Sequence, residues 1–162
     1  MNSIADILLD PLVLPIAIAL AAGTLAYVLS RWSPFVCRFL SLAGASCLVV
    51  VTLALATGPT PGTFRRTWAA GLAPDVAFVV ELAPSTLGLL VVVAAAGFAL
   101  LISLYAFRAM AGEYWEGKFH ACLLWTFAGA ATVALAGNLL VLLVGWELVT
   151  LIDIMLLGHW LE

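Results

Sequence analysis

Between Phe119 and Trp160 the chain runs for about forty residues that are almost all apolar, and that length constrains the fold more than any motif within it. An α-helix rises about 1.5 Å per residue, so about twenty apolar residues cross a hydrocarbon core of about 30 Å. Such a run makes two crossings, and Gly137 followed by Asn138 is the natural place for a tight reversal. Three earlier runs, each about the length of one crossing, add three more. The chain reads as all-α and integral to a membrane, one domain with about five transmembrane helices. They are expected at 11–29, 34–57, 85–107, 119–137 and 139–160.

The residues between the runs agree with this. Arg31, Trp32 and Pro34 combine an interfacial anchor with a helix-starting proline, and Arg38, one turn further in, is placed to snorkel toward water. Residues 58–84 hold Pro59, Pro61, Pro74 and Pro84, the pair Arg65 and Arg66, and the acids Asp75 and Glu81, and read as the one long extramembrane loop. The short polar link from Gly112 to Lys118 makes the third and fourth helices a hairpin.

Composition then excludes several classes of function. Hydrophobic residues are 65% of the chain and charged ones 9%, too few to build a water-facing shell. A net charge of −3 offers no basic stripe for nucleic acid. Cys37, Cys47 and Cys122 lie in apolar stretches without paired spacing and read as small buried hydrophobes. Asp6 and Asp10, with no basic residue, precede the first run, so it lacks the flank of a cleaved signal peptide and is expected to stay in the protein. Arg31, Arg38, Arg108 and Lys118 in the first and third links outweigh Arg65 and Arg66 in the second, which places the N-terminus outside. The chain has no glycine-rich phosphate loop, GxSxG elbow or HExxH pair, so no catalytic site, metal or cofactor is expected.

The informative residues are the polar ones inside the spans. Insertion scales disfavour an acid at the bilayer centre by about 2.5–3.5 kcal/mol, and the fifth helix carries two, Glu147 and Asp153. At about 100° per residue, Thr150 lies about 60° around the helix from Glu147, and Asp153 about 60° beyond that. One stripe of the helix is therefore polar. It either faces a hydrated path or partner helix, where a carboxylate exchanges protons or pairs with a buried cation, or it holds neighbouring helices by hydrogen bonds. His120 opens the fourth helix and His159 closes the fifth, which puts both at one membrane face. They are expected to be solvated there, with proton entry favoured over a bis-histidine haem. Gly145, beside Trp146, allows a neighbouring helix to approach closely.

From Tyr105 to Trp160 the sequence resembles the antiporter-like subunits of respiratory complex I and their relatives in Mrp cation/proton antiporters, membrane-bound hydrogenases and bicarbonate-accumulating complexes. The run Ala136-Gly-Asn-Leu-Leu-Val-Leu-Leu-Val-Gly-Trp-Glu-Leu-Val149 carries most of the likeness. Leu156-Leu-Gly-His-Trp160, and upstream Leu104-Tyr-Ala-Phe-Arg-Ala-Met110 with Gly112-Glu113 and Lys118-Phe119, add to it. The resemblance implies that Glu147 stands at the family's fifth-helix glutamate, which pairs with a lysine on a later helix during proton transfer. It also implies a multi-subunit complex in an inner or cytoplasmic membrane, among them proton-translocating oxidoreductases of the NADH-quinone type. The sequence departs from the family at Ala83-Pro-Ser-Thr-Leu87, which lacks an aspartate, and at Asp153, which replaces a neutral residue.

The family's lysine-bearing helices have no counterpart in this chain, which matches only the opening third of such a subunit. The expectation is a shortened or split antiporter-like subunit with Glu147, Asp153, Thr150 and His159 on a proton or cation path. A partner membrane subunit would supply the remaining helices and the buried lysine. The competing expectation is a structural or docking subunit of such a complex that conducts nothing itself.

Overall fold

A computed structural model of the chain describes residues 4–59, 61–69 and 77–157. Its elements in order are α1 (Ile4–Leu8), α2 (Leu14–Ser30), α3 (Pro34–Thr57), β1 (Phe64–Ala69), β2 (Ala77–Leu82), α4 (Thr86–Ala109), α5 (Glu116–Ala134) and α6 (Leu139–Leu157). The helices pack as a bundle around α5, which touches α2, α3, α4 and α6.

Most helix ends follow local chemistry. Pro34 opens α3 after an extended Ser33, where its missing N–H costs nothing. The Ser85 hydroxyl accepts from the Gly88 N–H at 2.9 Å and caps α4. Asn138 does the same for α6, accepting from the Val141 N–H at 2.9 Å. The expected break at Gly137 and Asn138 is thus where α5 and α6 part. Two starts differ from expectation. The Asp10 carboxylate accepts from the Leu12 N–H at 3.0 Å and holds a turn there, which delays α2 to Leu14. Helix α5 begins at Glu116, earlier than the charged link suggested, because that glutamate is buried against another helix instead of facing water.

Residues 58–84 are not simply a loop, so the fold is not purely helical. Strands β1 and β2 form an antiparallel hairpin in which Arg65 stands opposite Glu81, their charged groups 3.7 Å apart. The strand residues Phe64, Thr67, Phe78, Val79 and Val80 are aromatic or β-branched and suit a pleated ribbon. Pro and charge at either end concealed that pattern. The hairpin is tied to the α5–α6 turn: the Gly137 N–H donates to Glu81 O at 2.8 Å, the Asn138 side-chain amide to Val79 O at 2.7 Å, and the Ala83 N–H to Leu135 O at 2.8 Å. A Cβ on Gly137 would lie 2.7 Å from Glu81 Cγ, so only glycine lets β2 come this close.

Helix α4 turns its small residues inward and most of its large ones outward. Along α4, Gly88, Ala96, Ala99, Ser103 and Ala106 are buried, while Leu87, Leu90, Phe98, Leu101 and Leu104 are exposed. Helix α6 shows Leu143, Val144, Leu151 and Ile154 on its surface. Such a surface suits lipid, where backbones gain by approaching closely and large apolar side chains need no cover. Among the described residues, α3, α4 and α6 are each long and apolar enough to cross a membrane. That is three spans against the five expected. Helix α2 is apolar but has 17 residues, and α5 opens with Glu116, Lys118 and His120.

The closest approach joins α5 to α6. A Cβ on Gly145 would lie 2.9 Å from Val133 Cγ2 and 3.0 Å from the Val133 nitrogen, and one on Gly129 would lie 2.6 Å from Val149 Cγ2. Gly145 therefore has the role its sequence context suggested. Gly97 on α4 has nothing within 4 Å of such a Cβ. Gly145→Val should force the two helices apart and lower the thermal unfolding midpoint in detergent, at a cost of about 1–3 kcal/mol. Gly97→Val should leave the midpoint within error of wild type.

Candidate functional site

Two polar features occupy the bundle, and they differ in whether their charges are answered. The first is the stripe on α6. Glu147 sits near the middle of the helix and is exposed on its surface, and no hydrogen bond or ion pair joins it to another described residue. Thr150 is exposed and its hydroxyl donates to Trp146 O at 3.0 Å, one turn back. Asp153 is exposed one turn further on.

Helices α4 and α6 splay apart over α5 and leave a groove of about 540 Å³ between them. Thr150 and Asp153 line it together with Trp146, facing Leu87 and Val91 of α4 across Val133 of α5. Glu147 is not among the lining residues, which puts it outside the groove on the outer surface of α6. The structure therefore brings Thr150 and Asp153 into one recess and leaves Glu147 beside it. His159 lies outside the described residues.

The second feature was not anticipated from the sequence. Arg38 of α3 and Glu116 of α5 form a two-pronged ion pair: Nε meets Oε1, and Nη2 donates to Oε2 at 2.9 Å. The Gly112 N–H also donates to Oε2, at 3.1 Å, from a turn that Gly112 makes with a φ of +86°, where a side chain would be strained. The Glu116 side chain is 4% exposed and that of Arg38 17%. Arg38 thus turns inward to a carboxylate instead of snorkelling to water.

One helical turn deeper lies a second polar layer. His120 follows Glu116 by four residues and Ser41 follows Arg38 by three, so each pair stacks on one face of its helix. His120 Nδ1 is 3.0 Å from Ser41 Oγ, which is 3.5 Å from Ser103 Oγ of α4. All three are buried, so His120 is sealed inside the bundle and not solvated as expected. Its Nε2 has no hydrogen-bond partner among the described residues. Of the cysteines, Cys37 and Cys122 are buried as expected, whereas Cys47 lies on the outer surface.

The two layers bind α3, α4 and α5 together. Spacing carried a signal for them, since charges of opposite sign precede polar residues by one turn on two helices that share the same end of the bundle. Arg38→Met should destabilise the chain by about 3–5 kcal/mol, because it strands a buried carboxylate. The double variant Arg38→Met with Glu116→Leu should recover most of that loss. Thermal unfolding of the three proteins in the same detergent checks both outcomes.

No protein-family model matches the chain and no curated protein matches it.

Proposed function

We propose that this chain is antiporter-like and part of a multi-subunit membrane complex, and that Glu147 contributes to its proton or cation path. One observation carries the reading: a carboxylate halfway along an apolar helix stands on the outer surface with no partner among the described residues. In lipid that arrangement is costly, and it becomes favourable once another polypeptide supplies a cation or a hydrated path. The contrast with Glu116, whose charge is met inside the chain, sharpens the point. The sequence around Glu147 resembles the family's fifth helix, in which the glutamate pairs with a lysine on a later helix. A helix beyond the described residues supplies that lysine in this reading.

In this reading α2 and α5 also cross the bilayer, giving five spans in an inner or cytoplasmic membrane with the N-terminus outside. Helix α5 tolerates Glu116 and His120 because both face protein instead of lipid. The 17 residues of α2 rise about 25 Å, and the turn before it makes up the remaining depth.

The groove between α4 and α6 supports a second reading, in which the chain is a structural or docking subunit and a helix of the complex seats in that recess without conduction through this chain. A single variant separates the two. In the intact complex, Glu147→Gln should reduce ion or proton transport to background while subunit composition on a native gel stays unchanged. Unchanged transport, or loss of assembly, would count against conduction through Glu147.

A further inference from the structure

The end of the bundle where α2 leads into α3 and α4 into α5 contains a pocket of about 300 Å³ that neither polar feature uses. Tyr27 and Arg31 of the α2 end form one wall, and Tyr114, Trp115 and Lys118 form the other. Gly117 closes its floor: a Cβ there would collide with the Ser30 side chain, so the last turn of α2 and the first turn of α5 are in direct contact. The Ser30 hydroxyl is already engaged, donating to Tyr27 O.

The pocket brings two unpaired cations together. Arg38 and Arg65 each have a carboxylate partner, in Glu116 and Glu81. Arg31, Arg66, Arg108 and Lys118 have none among the described residues, and of these four Arg31 and Lys118 line the same recess. Lys118 Nζ stands 5.1 Å from the centre of the Trp115 ring, which orients the ammonium without neutralising it. Glu116, between the lining residues Trp115 and Gly117, is itself not among them and is held by Arg38 and the Gly112 N–H, and Glu113 does not line the pocket either. Two cations facing one cavity without an acid repel each other unless an anion lies between them.

We propose that this pocket binds the phosphate of an anionic phospholipid in the adjoining leaflet. A phosphodiester fits two cations flanked by tyrosine and tryptophan, and basic recesses between membrane helices recognise lipid headgroups through this chemistry. The surroundings favour lipid over free phosphate. Trp32 is 85% exposed beside Arg31 and Tyr114 is 88% exposed across the pocket, amphipathic rings of the kind that settle at headgroup depth. Leu20, exposed on α2 two turns inward of Tyr27 and on the same face, offers acyl chains an apolar surface. The inference does not depend on what Glu147 does.

The test is native mass spectrometry of the full chain in mild detergent, titrated separately with phosphatidylglycerol, phosphatidylcholine and inorganic phosphate. The first phosphatidylglycerol should bind about tenfold or more tighter than phosphatidylcholine, as expected for two lysine or arginine contacts. Arg31→Gln with Lys118→Gln should abolish that preference, while Arg65→Gln with Arg66→Gln, in the hairpin, should retain it. The charge-conserving pair Arg31→Lys with Lys118→Arg should retain it too. Equal binding of the two lipids by the wild-type chain, which requires no variant to fold, would overturn the proposal. So would displacement of phosphatidylglycerol by inorganic phosphate at equal concentration, which would assign the site to the free ion.

Discussion

Close contact between α5 and its neighbours is the constraint on which the rest of the structure depends. In lipid the hydrophobic effect does not drive helices together, so they must gain by packing backbones tightly and by satisfying the few polar groups they carry. Gly129 and Gly145 bring α5 against α6, and Gly23 receives the Trp125 ring where α2 meets α5. Ala128 and Ala131 lie buried on the same helix. With its neighbours this close, α5 keeps Glu116 and His120 buried against protein.

The bundle then divides its polar groups into two kinds. At one end, Arg38, Glu116 and the Gly112 N–H satisfy one another, and the Ser41, Ser103 and His120 layer extends that closure one turn inward. Removing both members of such a pair costs less than removing one, which is why the pair acts as a tie between helices and not as a store of stability. On α6 Glu147 faces outward and Asp153 faces the α4–α6 groove. The closed ion pair at one end thus contrasts with the unpaired acids of α6.

The sequence made the helices legible because their boundaries are local. Pro34, Ser85 and the Gly137–Asn138 pair act within a turn of where they stand, and the structure breaks at each of them. The angular relation of Thr150 to Asp153 was also legible, since helical spacing alone puts them on one face. What could not be read depends on residues far apart. The early start of α5 follows from an ion pair between residues 78 positions apart, and the inward turn of Arg38 has the same cause. The hairpin was missed because its proline and charge looked like a loop, although Phe78, Val79 and Val80 carry strand character. His120 looked interfacial from its place near a helix start, and it became a core residue only once α3 and α4 closed over it.

The hydrogen bonds that tie β2 to the α5–α6 turn fix where α6 starts. Three bonds grip the chain within a few residues of Asn138. Beyond that point α5 holds the helix, through Val133 at Gly145, through Gly129 at Val149, and by burying Ile152 next to Asp153. Hairpin and α5 together leave α6 no freedom to turn about its axis. The direction in which Asp153 points, into the recess toward α4, is therefore dictated by contacts made elsewhere on the same helix.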